Sequence, residues 1–410
     1  VAYAEKRANG WRARYRLPDG TLGSEPGFDT KRAAVDWGKA QEVDIDRNVF
    51  VDRRRGDITF FRWAEEWLQS VDVEPNSIDV YRRRLRAQIY PKWANKTLAE
   101  IEDQTLVVQK WAKQVRADQA PNYSRDILSL FRMLMDDAVA DRRIAVNPLP
   151  KTNRRRGRYV RKEKAEKTFG TPRQVLELAE NARIVWGFAG YVFILTKAYT
   201  GMRLGEMYGL RREYCYPNWP LSDPDRKQRA KMAKRYGDLP LLRVEQQHLF
   251  ERLEEGEKGV PVLRAPKYAS KRTLILPQFL AELLQELLES HEEPWVFRAM
   301  GGGPLLLTDF NTYYWRPIVD GAEERVGRYA RPAILPVDGL DDLVPHGLRH
   351  GHKAWLDEDG HSTAAVEERM GHVLQGIIGT YSHVTIDMEK RIAKSLQKRW
   401  KDSLKPPKQA

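Results

Sequence analysis

The chain has 410 residues, 41 % of them hydrophobic, and its 70 lysines and arginines against 57 acidic residues leave a net charge of +13. That length suits about two to four folded domains and the apolar and aromatic content excludes global disorder, while a single cysteine, Cys215, excludes an internal disulfide framework and a Cys-based metal site and suits a reducing compartment. The longest apolar run, Ile184 to Leu195, is too short to span a bilayer, no signal-peptide pattern is present, and the charge points to a polyanionic partner such as nucleic acid.

Trp11 to Leu17 alternates apolar and basic residues, the period of a half-exposed strand. Pro18-Asp19-Gly20 is a turn signal, so Thr21 onward pairs back as a hairpin. Thr30 caps a helix with Ala34, Trp37 and Val43 on one face. The outer strand face then shows Arg12, Arg14 and Arg16, either as a solvated edge or as a ribbon laid in a DNA groove. Arg53-Arg54-Arg55-Gly56 marks a boundary.

From about residue 57 to 150 the pattern is helical. Thr59 caps a helix whose apolar positions, Phe60, Trp63, Ala64, Trp67 and Leu68, form one core stripe. A second helix starts at Asn76 or Ser77 with Ile78, Tyr81, Leu85 and Ile89 inward and Arg82, Arg83, Arg84 and Arg86 on its other face. That arginine row is either solvated or faces phosphates. A third helix follows Thr105, with Val108, Trp111 and Val115. A fourth starts near Ser124 and ends before Asn147-Pro148, since the residue before proline disfavours the α region. Four such helices make a small bundle.

Residues 151–167 hold nine basic and two acidic residues, Arg154, Arg155, Arg156 and Arg158 among them, and read as an extended basic linker. A larger domain follows, over about 168–404. It opens on Thr171-Pro172, a cap followed by proline at the first helical position. The stretch 214–260 reads as irregular and charge-rich. Val262 to Ala265 and Arg272 to Leu276 read as two strands of a hairpin with Lys267 at its tip, and further helices cover about 278–290, 309–320 and 347–358.

Three segments can carry chemistry. In Thr200-Gly201-Met202-Arg203-Leu204-Gly205-Glu206 a tight turn places Arg203 at the opening of a helix, which is also an ordinary helix start. In Pro345-His346-Gly347-Leu348-Arg349-His350, His346 and Arg349 share a helix face. Met370-Gly371-His372 is followed by Tyr381 in Thr380-Tyr381-Ser382-His383. Six of the eight histidines lie between 346 and 383, but no His-Glu-x-x-His pattern accompanies them and an arginine in their midst repels a cation, so no metal is expected. Two arginine forks can bind the non-bridging oxygens of a phosphodiester and neutralise the charge of a five-coordinate phosphorus. A tyrosine hydroxyl could attack that phosphorus, and a lysine or histidine could give the leaving oxygen a proton. No carboxylate cluster is needed, so no Mg²⁺ or other cofactor is implied.

TGMRLGE, a hairpin lysine, HGLRH, MGH and TYSHV, in that order, resemble the tyrosine recombinases of the phage-integrase family. The motifs span about residues 196–385. The resemblance implies a multidomain, mainly α chain: a small β-sheet-plus-helix arm-type DNA-binding domain (1–52), a helical core-binding domain (57–150), the basic linker, and an α+β catalytic domain. It implies Tyr381 as nucleophile, Arg203 and Arg349 as phosphate clamps, and Lys267 as the acid for the leaving 5′ oxygen, with Lys271 and Arg272 as close competitors. It also implies that His346 assists proton transfer, that His372 bonds the scissile phosphate, and that Glu206 gives structural support. The product would be a site-specific recombinase that integrates or excises a phage or mobile element through a 3′-phosphotyrosine. It would work as a homotetramer on double-stranded attachment sites, in the cytoplasm or nucleoid of a bacterial host, with a host or directionality factor as a further partner and no membrane. A segment such as Asp387 to Leu404 would pass to a neighbouring protomer. A resolvase of the same family and a DNA-binding regulator without catalysis are the rival readings.

Overall fold

The computed structural model describes residues 2–47, 50–150, 168–251, 260–299, 302–305, 310–327, 330–372 and 384–406. The chain divides into two compact units, 1–160 and 161–410. It is mainly α-helical with small antiparallel sheets. No described helix is long and apolar enough to cross a membrane.

In the first unit, strands β1 (Tyr3–Arg7), β2 (Gly10–Arg16) and β3 (Leu22–Phe28) form one antiparallel sheet in that order. The turn signal predicts the β2–β3 hairpin; nothing in the sequence pattern predicts β1, which pairs Glu5 with Arg12 across the sheet. Helix α1 (Lys31–Asp46) starts where Thr30 Oγ accepts from the Ala33 amide at 3.1 Å. Ala34 is buried and Trp37 lies edge-on to Tyr15, whereas Val43, expected on the inner face, is exposed. Ala2, Tyr15, Leu17 and Phe50 form a small core of their own.

The bundle has its own core, separate from that one, with Phe60, Leu85, Ile89, Val108, Ile127, Phe131 and Leu134 fully buried. Its helices are α2 (Phe60–Ser70), α3 (Pro75–Arg84), α4 (Tyr90–Trp93), α5 (Leu98–Asp103), α6 (Thr105–Asp118) and α7 (Pro121–Ala140). Six elements replace the four expected. A wide turn over Leu85–Ile89 carries α3 into α4, and Thr97 with Glu100 forms a reciprocal cap that starts α5. The last helix begins at Pro121, not Ser124, because proline sits readily at a first helical position.

In the second unit, α8 (Pro172–Thr200) is the spine, and every residue from Gly190 to Thr200 is buried. Around it pack α9 (Leu204–Tyr208), α10 (Arg226–Tyr236), α11 (Gln278–Glu289), α12 (Arg316–Asp320), α13 (Pro345–Glu358), α14 (Thr363–Met370) and α15 (Ile386–Ser403). The stretch 214–260, expected to be irregular, contains α10 and two strands. Helix α15 buries Ile392 and Leu396 in the core of its own domain.

The lysine hairpin differs from the expectation. Strand β4 (Leu241–Val244) pairs with β7 (Arg272–Ile275), and β5 (Gln247–Glu251) pairs with β6 (Val260–Arg264). Strands β6 and β7 therefore do not pair with each other. Both belong to one long ribbon, in which Gln247 faces Arg264 and Val244 faces Arg272. The residues between Arg264 and Arg272 bulge out opposite Glu245 and Gln246. Lys267 sits on this bulge, not at the tip. The cause is local: Pro266 has no amide to pair, and Tyr268 and Ala269 both have positive φ (62° and 50°), which no regular strand accepts.

Candidate active site

The site is built on chain breaks after helices. Helix α8 ends at Gly201, whose φ of +66° is left-handed. A Cβ there would also stand 2.7 Å from the His352 ring, so glycine is needed twice over. Its carbonyl accepts from Arg349 Nη1 at 2.6 Å. Arg203 then opens α9 and Glu206 ends that first turn. Helix α14 ends the same way at Gly371 (φ +67°), where a Cβ would meet Arg272 Nη1 at 2.8 Å.

Glu206 is fully buried and every lone-pair direction of its carboxylate is used. Oε1 accepts from Arg203 Nη1 (2.8 Å) and Arg272 Nη1 (3.1 Å); Oε2 accepts from the Arg203 amide (2.8 Å) and Arg272 Nη2 (2.8 Å). Burial pushes its pKa up, but the Arg272 hydrogen bonds and charge, with those of Arg203, override this and hold it at about 2. Ser270 Oγ accepts from Arg203 Nη1 at 3.2 Å and donates to the Lys267 carbonyl at 2.8 Å, tying the lysine bulge to the arginine.

Arg349 is only 2 % exposed. Besides Gly201 O, it donates through Nη2 to Met370 O and to His372 Nε2 (2.8 Å). Burial and the adjacent Arg203 charge, partly offset by Glu206, press its pKa down to about 9, still charged at neutral pH. The other face of the His372 ring is fixed by Glu367, which Nδ1 contacts and which Lys353 Nζ also reaches at 2.8 Å. Lys197 lies wholly buried beneath the turn and donates to Met202 O at 3.0 Å. Burial and Arg349 lower its pKa to about 7.

The arrangement is short of negative charge. Arg203 and Arg272 share one carboxylate, Glu206, whose charge also partly offsets that of the nearby Arg349, while Glu367 is shared between Lys353 and His372. A guanidinium has five N–H donors. Among the described residues, the hydrogen bonds of Arg203 and Arg349 engage three each, so both keep two for an incoming anion. A phosphodiester offers two non-bridging oxygens that such donors fit.

The structure thus brings together Arg203, Arg349 and His372, with the Lys267 bulge tethered by Ser270. His346, exposed on the first turn of α13, has its ring 4.7 Å from that of His350. Lys267 is exposed, with Nζ 5.1 Å from the Tyr268 ring centre. Its competitors are committed elsewhere: Lys271 to Glu245, and Arg272 to Glu206. Tyr381 lies outside the described residues, as do Arg154, Arg155, Arg156 and Arg158. Of the proposed DNA-binding residues in the first unit, Arg16 is exposed, Arg14 is paired with Glu5 at 3.0 Å, and Arg12 is half-buried. Arg83 is exposed and donates to Asp79 O at 3.3 Å, Arg86 is exposed, and Arg82 is half-buried. Sequence reasoning misses Ser270, Glu367 and Lys197, because nothing in local spacing marks a residue that acts by holding another.

Residues 252–388 match the phage integrase family. Over 394 residues the chain is 26 % identical to the prophage phiRv2 integrase of Mycobacterium tuberculosis, covering 95 % of this chain and 92 % of that one. The chain carries a phage integrase domain at residues 252–388. It is a tyrosine recombinase. The XerA tyrosine recombinase of Thermococcus kodakarensis is 25 % identical over 131 residues, 32 % of this chain and 42 % of its own. The fold of this integrase is also that of a Tn1549 transposon integrase solved with circular intermediate DNA (TM-score 0.56, 16 % identity, 83 % and 99 % covered). It likewise matches a lambda integrase tetramer bound to a Holliday junction (TM-score 0.51, 14 % identity, 93 % and 95 % covered).

Proposed function

We propose that this integrase cuts and rejoins duplex DNA at specific sites through a 3′-phosphotyrosine on Tyr381, to integrate or excise a phage or mobile element. The observation that carries this is the anion-deficient pocket in which Arg203 and Arg349 each keep N–H donors beside His372. In the proposed step the Tyr381 oxygen attacks the phosphorus, the bond to the 5′ oxygen breaks, and Lys267 gives that oxygen a proton. His346 assists proton transfer, and Arg203 and Arg349 hold the two charged oxygens, joined by His372 once its Nε2 leaves Arg349 and carries a proton. The phosphotyrosyl bond keeps the energy of the broken linkage for religation.

The three-part plan, with an arm-type module at 1–52 and a core-binding module at 57–150, belongs to the same proposal, as does assembly into a tetramer on two duplexes. The separate small core of the first 50 residues supports an independent module. The Tn1549 and lambda complexes with DNA support the duplex partner.

Two measurements test this reading. A nicked duplex that loses its 5′ fragment after cleavage traps a covalent adduct with the wild-type chain and none with Tyr381→Phe, which removes one oxygen; an adduct on the phenylalanine variant assigns the nucleophile elsewhere. Replacing Arg12 and Arg16 by Gln in the full chain lowers the log–log salt slope for outlying sites by about 0.9 for each phosphate no longer neutralised. A slope unchanged on those sites removes the strand face from the interface.

A further inference from the structure

One fully buried cation has no part in the proposed step. Arg369, 1 % exposed, is the next-to-last residue of α14. Its guanidinium reaches four elements at once: His352 Nε2 on α13 (3.3 Å), Tyr199 O on α8 (3.3 Å), Ile275 O on β7 (3.3 Å) and Glu389 Oε2 on α15 (3.1 Å). His352 can accept because its Nδ1 faces Ala198 O at 2.9 Å, and burial with the nearby Arg369 charge holds the ring neutral.

What Arg369 anchors is a row of backbone carbonyls. The last carbonyls of a helix have no partner within it and form the negative end of its dipole. Here three successive ones each receive a site arginine: Arg369 O takes Arg272 Nε (2.8 Å), Met370 O takes Arg349 Nη2, and Gly371 O takes Arg203 Nη2 (3.0 Å). The positions of all three guanidinium groups are therefore referred to the end of α14, and that end is pinned by the Arg369 side chain. A buried arginine is costly, and packed apolar residues serve stability as well or better. Its presence here calls for a role other than stability.

We propose that Arg369, with Glu389 as its counter-charge, is a positioning residue: it sets the carbonyl row that aims Arg203 and Arg349 at the scissile phosphate. The proposal rests on the recombinase reading above. Removing the anchor leaves every phosphate-facing donor in the sequence but lets the row shift, and misplacement by about 1 Å can cost on the order of 10²-fold in rate.

The test uses the full chain with Arg369→Met and Glu389→Met combined, since exchanging a buried ion pair for apolar residues of similar volume is often tolerated by the fold. Thermal unfolding, gel-shift affinity and adduct formation at saturating DNA are measured on a nicked duplex from the DNA flanking the encoding element. The expected result is a cooperative transition, an affinity within about threefold of wild type, and an adduct rate lower by about 10²-fold. An adduct rate equal to wild type overturns the proposal. So does an equal loss in affinity and rate, which makes Arg369 part of general binding, or loss of the cooperative transition, which makes it a determinant of the fold. A wild-type chain that forms no adduct instead removes the recombinase reading itself.

Discussion

Lysine in place of Arg203 or Arg349 is expected to slow DNA cleavage by about 10²–10³-fold, the usual cost of losing one transition-state donor, while gel-shift affinity changes far less. The reason is geometric. Each arginine spends three donors on fixing itself and keeps two, which the proposed step offers to the phosphate. A lysine ammonium has three donors on a single nitrogen, so at position 349 it cannot hold Gly201 O, Met370 O and His372 and still present a two-pronged face. The charge survives the change, and with it most of the long-range attraction for DNA. Single-turnover cleavage on a nicked duplex, set beside affinity under the same salt, reads the two effects separately. Equal losses in both would assign these arginines to general DNA affinity.

Glu206→Gln should be the most damaging single change to the fold around the site. The carboxylate is fully buried and accepts four hydrogen bonds from Arg203 and Arg272. The amide keeps the shape, loses the charge, and turns an NH₂ toward a guanidinium. Breaking a buried ion pair from one side costs about 3–5 kcal/mol, so the midpoint of thermal unfolding should fall by roughly 10 °C for a unit of this size. The pH dependence has a definite sign. The folded carboxyl titrates at about 2, below its ordinary value of 4.5. Its stabilisation is therefore fully present above about pH 4.5 and is lost as pH falls toward 2. Wild-type stability should drop through that window, and the glutamine variant should lack that part of the drop. A variant as stable as wild type at pH 7 would contradict the assigned packing.

The sequence is most informative where one residue type has one job. The stripe Phe60, Trp63, Ala64, Trp67, Leu68 marks a buried helix face, and Thr171-Pro172 marks the start of α8, because burial and capping are local in the chain. TGMR, HGLRH and MGH are legible because each carries a donor at a chain turn. The ribbon is the opposite case. Lys267 follows a strand and precedes another, which reads as a hairpin tip, but the pairing is set by β4 and β5, elements hidden in a stretch with little periodicity. Arg272 reads from sequence only as a rival to Lys267, since nothing near it in the chain reveals Glu206 as its partner. Arg369 lies beside MGH, and nothing near it in the chain marks it for burial. Its burial is decided by Tyr199, Ile275, His352 and Glu389, which stand far apart in the chain and meet only through the fold.

The central claim, a covalent link between Tyr381 and DNA in a pocket made by Arg203, Arg349 and His372, is tested most directly by mapping the trapped adduct. The wild-type chain is incubated with a nicked duplex from the flanking DNA, digested, and the DNA-bearing peptide sequenced by mass spectrometry. The expected result is a single modified peptide carrying the 3′ phosphate on Tyr381. A nucleotide attached to any other residue, or cleaved DNA with no attached peptide, would contradict it.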